Sequence, residues 1–114
     1  MRKNKIIKKK ILNNVNGGFK MYYRGYILIR LKAIGTEWKL VDKLVGLKST
    51  EPEEDWKITY ATPLYGAWDL IVECSFKKLK DLDKIVTFCR IDEEISQWIE
   101  ETTTLMGSKN DYPS

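Results

Sequence analysis

The chain has 114 residues, 43% of them hydrophobic and 32% charged, which fits one globular domain with a core of its own. It contains no histidine, so Ser-His, Cys-His and His-metal catalysis are excluded within a single chain, and its two cysteines (Cys74 and Cys89) form neither a metal spacing nor a disulfide framework. The formal charge of +4 averages two unlike parts: residues 1–20 hold seven basic groups and no acid, leaving 13 basic against 16 acidic groups and a net −3 in the rest.

The first 20 residues are expected to be a basic hinge segment. Ile6 to Leu12 (IIKKKIL) reads as a short strand, where lysines discourage promiscuous edge pairing. Asn13 to Gly18 is a turn cluster. Lys8, Lys9 and Lys10 are the candidates for a weak, salt-sensitive phosphate contact; the alternative is a solvated, solubilising terminus.

Tyr22 to Lys32 is aromatic and β-branched, so a central strand is expected, with Ile27, Ile29 and Leu31 on one face and Tyr26 and Leu28 on the other. Thr36 is a candidate N-cap for a helix over Glu37 to Leu47, with Trp38, Val41, Leu44 and Val45 as its apolar stripe. Lys48 to Asp55 is an acidic loop, expected to be solvated. Trp56 to Leu64 alternates, with Trp56, Ile58, Tyr60, Thr62 and Leu64 on one face, and Pro63 confines that strand to an edge or an end. A turn at Tyr65-Gly66 leads into Trp68 to Phe76, which predicts an antiparallel hairpin. Leu79, Leu82, Ile85, Val86 and Cys89 mark a second amphipathic helix. Trp98 to Met106 is a last strand, and residues 107–114 read as a frayed tail.

The order over residues 21–106 is β-α-β-β-α-β. This predicts an α+β, ferredoxin-like α/β plait: a four-stranded antiparallel sheet with both helices on one face, plus the short N-terminal hinge strand. An isolated sheet with one bare face should alternate cleanly between apolar and polar residues. Tyr26, Leu28 and Ile71 break that alternation, which points to a second copy packed sheet against sheet through Tyr26 and Leu28. The four tryptophans (Trp38, Trp56, Trp68, Trp98) are expected in the core. Asp69, at the start of a buried strand, is costly unless its carboxylate serves backbone donors or a ligand. No polar cluster suggests catalysis or a metal or cofactor, so the chain is read as no enzyme; a small monooxygenase or isomerase on the same plait is the alternative of that class. Absence of a long apolar run or signal pattern leads to the expectation of a cytoplasmic protein.

The run Thr62 to Val72 (TPLYGAWDLIV) resembles the hairpin signature of the effector domain, or RAM domain, of Lrp/AsnC-type transcription regulators. Arg24 to Lys32 is similar to that family's first strand, Glu101 to Leu105 to its last, and Lys5 to Phe19 to its hinge. Only about four residues precede the hinge, so the resemblance implies an effector domain without a helix-turn-helix DNA reader. It implies a face-to-face dimer, rings of dimers, an amino acid effector bound between dimers near the hairpin turn, and full-length regulators of the family as partners. Carried over by position, Tyr65, Gly66, Ala67, Trp68 and Asp69 border that site, with Thr103 and Thr104 as further candidates. The family often has an acidic residue where Ala67 stands, so neutral or apolar amino acids are expected to be preferred over cationic ones. The readings left open are a nucleic-acid binder using the basic tail and a structural assembly partner with no ligand.

Overall fold

The computed structural model describes residues 21–110 and the backbone of Tyr112–Pro113. The hinge strand and Lys8, Lys9 and Lys10 lie outside the described residues. Strand β1 (Met21–Leu31) is followed by helix α1 (Glu37–Leu44), the hairpin β2 (Trp56–Pro63) and β3 (Leu70–Phe76), helix α2 (Leu79–Ile91), and β4 (Ile99–Met106). A single 3-10 turn, Ile95–Gln97, links α2 to β4. The sheet order is β2-β3-β1-β4, all antiparallel, which is the expected ferredoxin-like plait.

β1 is central because its odd positions are apolar without interruption. Ile27 and Ile29 are fully buried against Leu40 and Leu44 of α1 and Leu82, Ile85 and Cys89 of α2, in one cluster with Leu70, Val72, Cys74 and Phe76. Gly25 shares that face. A Cβ there would lie 3.0 Å from both Cys74 Sγ and Phe76 Cε1, so only glycine lets α2 and β3 close over the strand. The two cysteines belong to this core. Burial pushes the Cys74 thiol up to about 12 and Cys89 up to about 11, so both stay protonated at neutral pH.

Several local expectations need correction. Helix α1 stops at Leu44, and Gly46 (φ +91°) turns the chain away. Its buried stripe is Leu40, Val41 and Leu44, whereas Trp38 is 65% and Val45 54% exposed. Eight residues make just over two turns, too short for the wider stripe. Thr36 gives no side-chain cap; its Oγ1 donates instead to Ala33 O. In β2 the pairing shifts by one residue between Ile58 (opposite Cys74) and Tyr60 (opposite Glu73). This bulge breaks the two-residue period, so Ile58 and Ala61 face the core and Tyr60 faces the bare side of the sheet. Leu79 is exposed at the start of α2. The loop over 48–55 is not wholly solvated: Glu54 accepts from Trp56 Nε1 at 3.2 Å and pairs with Lys84 at 2.9 Å, and Asp55 accepts from the Tyr22 hydroxyl at 2.9 Å. Beyond β4 the chain does not fray at once. Gly107 N donates to Arg24 O, and a two-residue strand β5 (Tyr112–Pro113) pairs with Met21 and Tyr22 along the same side of β1.

Candidate functional site

The bare face of the sheet carries the even positions of β1. Tyr26 and Leu28 lie there, half-buried, opposite Leu105 and Thr103 of β4 and beside Glu73 and Ile71 of β3. Exposed Tyr60 and Leu105 extend the surface to both edges. The structure therefore gathers Tyr26, Leu28, Tyr60, Ile71 and Leu105 on one uncovered apolar face. Thr103 sits on this face and Thr104 on the opposite one, across from Ile27.

The hairpin turn projects beyond one end of the sheet. Gly66 adopts φ +119°, a conformation that L side chains rarely adopt, although a Cβ there would meet no other atom; the turn needs its backbone freedom, not its small size. Leu64 N donates to Asp69 O and Asp69 N donates to Ile29 O, which closes the loop and fastens it to β1. The Asp69 carboxylate completes the clip: its Oδ2 accepts from Leu31 N at 2.7 Å. That bond serves a backbone donor of β1 and not of the turn itself.

Arg30, which the sequence reading did not single out, organises this end of the molecule. Its Nε and Nη2 both donate to Ala67 O, at 3.2 and 3.0 Å, and its Nη1 meets Glu101 Oε1 at 2.6 Å. The guanidinium lies 4.6 Å from the centre of the Trp68 ring. A clue was available: an arginine on the bare face of an otherwise apolar strand, near its end, needs anionic and aromatic company.

Behind the clip opens a cleft of about 340 Å³. It brings together Gly66, Ala67 and Asp69 of the hairpin, Arg30 and Lys32, Glu37 at the start of α1, and Glu100 of β4. Tyr65 points away and is fully exposed; with Trp38 and Leu64 it borders a neighbouring groove of about 420 Å³. Trp68 packs on Arg30, and Thr103 and Thr104 do not line the cleft. Of the remaining tryptophans, Trp56 and Trp98 pack against the core as expected. Among the described residues no cluster of three metal-ligating side chains occurs, and no helix is long and apolar enough to cross a membrane.

Comparison with protein-family models gives no match, and comparison with curated proteins gives none that is significant. Solved structures are similar. The crystal structure of FFRP-DM1 matches with 29% identity and a TM-score of 0.54, over 75% of this chain and 97% of that one. Hypothetical protein PHS023 from Pyrococcus horikoshii matches with 29% identity and a TM-score of 0.55, over 75% and 88%. The transcriptional regulator NMB0573 from Neisseria meningitidis, in complex with L-Met, shares 12% identity and a TM-score of 0.51, over 79% of this chain and 52% of that one. The chain thus has an Lrp/AsnC-like fold. It covers nearly all of FFRP-DM1, so that structure holds little beyond the same domain.

Proposed function

We propose that this chain is an effector-binding and oligomerisation domain of the Lrp/AsnC type, which binds an amino-acid-class ligand in the hairpin cleft and modulates transcription regulators of that family. The cleft carries the reading. A glycine turn, an arginine, a lysine and several carboxylates converge on a cavity within the size range of small-molecule sites. Support comes from the likeness to a regulator solved with L-Met, and from the near-complete overlap with FFRP-DM1. In this reading the apolar sheet face around Tyr26 and Leu28 is the surface for a second copy, and rings of such dimers would close through the hairpin ends. No DNA-reading role is assigned to the described residues.

Light scattering behind size exclusion tests the assembly. The native chain should run as a dimer or larger, with an interface of roughly 800 Å² per partner. Leu28→Glu should release monomers, because the carboxylate would be buried unpaired. An unchanged mass for this variant would remove the sheet face from the account. A thermal-shift screen against the twenty amino acids tests the ligand; silence across the set would leave an assembly partner without an effector.

A further inference from the structure

The charges around the hairpin cleft do not balance, and their imbalance bears on what it binds. Five charged side chains line it: Arg30, Lys32, Glu37, Asp69 and Glu100. Arg30 is already committed to Ala67 O and to Glu101, which lies outside the lining. Among the described residues the side chains of Lys32 and Glu100 make no hydrogen bond or ion pair, Lys32 bonding only through its backbone N–H to Trp98 O. Asp69 uses only Oδ2, and Glu37 only Oε1, which accepts from Gly35 N at 2.9 Å. Both acceptors are engaged by neutral backbone donors, so both carboxylates keep their charge uncompensated. Three carboxylates on three separate segments therefore face one free cation.

An α-amino acid brings one carboxylate and one ammonium. Lys32 suits the first and Asp69 Oδ1 the second. Glu37 and Glu100 are then left without a counter-charge beside a neutral ligand. The expectation of a neutral ligand rested on Ala67 alone, but the fold carries two carboxylates to the cleft from α1 and β4.

Resting on the reading of the cleft as the effector site, we propose that its ligand carries a primary ammonium at the end of a flexible carbon chain, as a diamino acid or a diamine does. An ammonium presents three diverging donors, which fits carboxylates arriving from different segments better than the planar fork of a guanidinium does.

Titration calorimetry of the full chain with L-lysine, L-norleucine and cadaverine tests this. Norleucine matches lysine in chain length without the ε-ammonium, and cadaverine keeps both ammonium groups without the carboxylate. Lysine should bind about tenfold more tightly than norleucine at low ionic strength, equivalent to about 1.4 kcal/mol. The ratio should shrink as salt screens the cleft, and Glu100→Gln should cut it to about threefold. Lysine binding without cadaverine identifies a diamino acid; binding of both identifies the diamine chemistry as sufficient. Norleucine binding as tightly as lysine overturns the ligand class and leaves the cleft standing as a site. If none of the three binds, the class is overturned, and the site falls with it when the wider amino acid screen is also silent.

Discussion

Replacing Asp69 separates its structural work from any contact with a ligand. Its Oδ2 accepts from Leu31 N at 2.7 Å, and Leu31 is a core residue only 7% exposed. A hydrogen bond to a charged group is worth about 1.5–3 kcal/mol, and an orphaned buried N–H costs about 1–3 kcal/mol. These describe one event and do not add. Asp69→Ala should therefore cost about 2–3 kcal/mol, while Asp69→Asn, which keeps an acceptor oxygen but not the charge, should cost about 1 kcal/mol. For a domain of this size each kcal/mol moves Tm by roughly 4–8 °C, so the alanine variant should melt about 10–20 °C lower and the asparagine variant about 5 °C lower. Urea denaturation followed by tryptophan fluorescence gives the free energies directly. An alanine variant within about 0.5 kcal/mol of the native chain would refute the clip as a stabilising element. The backbone bonds of Asp69 to Ile29 and Leu64, with the Arg30 bonds to Ala67 O, would then be holding the hairpin.

Gly25→Ala should destabilise by about 1–3 kcal/mol, since its methyl group meets Cys74 and Phe76 at 3.0 Å inside the core; a neutral result in the same urea assay would mean that α2 yields easily. Tyr22 makes a separate contribution at high pH. Burial first, then the hydrogen bond to Asp55 and its charge, raise its hydroxyl from 10.0 to about 12. The folded state therefore holds this proton more tightly than the unfolded chain does. The stabilisation is complete below pH 10 and is lost as pH rises through about 12. Tyr22→Phe should flatten that part of the alkaline unfolding profile, and a superimposable profile would contradict the assignment.

The fold was legible because its signals are periodic and local. β1 alternates in burial from Gly25 to Leu31 and β3 from Leu70 to Cys74, and Leu82, Ile85 and Cys89 recur at helical spacing. Errors arose where a single residue changed phase. One extra residue in β2 moves Tyr60 off the core, and no propensity marks the bulge. Trp38 was expected inside because it is large and apolar, but a short helix turned it outward. The hairpin part of the cleft could be read from Gly66 and Asp69, which are turn residues with few other uses. Glu37 and Glu100 could not, and Arg30 only through its place on an otherwise apolar strand. Each looks like an ordinary solvated charge along the chain; the antiparallel register of β1 with β3 and β4 brings Arg30 and Glu100 beside the hairpin, and the start of α1 adds Glu37.

The bulge in β2 also bears on how related chains should be compared. Removing Thr59 would leave Ile58, Tyr60 and Ala61 in plain alternation, with the same side chains inward and outward as now, at the loss of the Thr59 bond to Glu73. An edge strand can absorb such a change because beyond Ile58 β2 has a strand neighbour on one side only; its outer side is bridged to residues 47–49 at Trp56 to Ile58 and no further. Homologues one residue shorter here would keep the same three-dimensional correspondence. An alignment that forbids a gap inside a strand would then misplace every position on one side of residue 59, and would pair the wrong residues in either half of the hairpin.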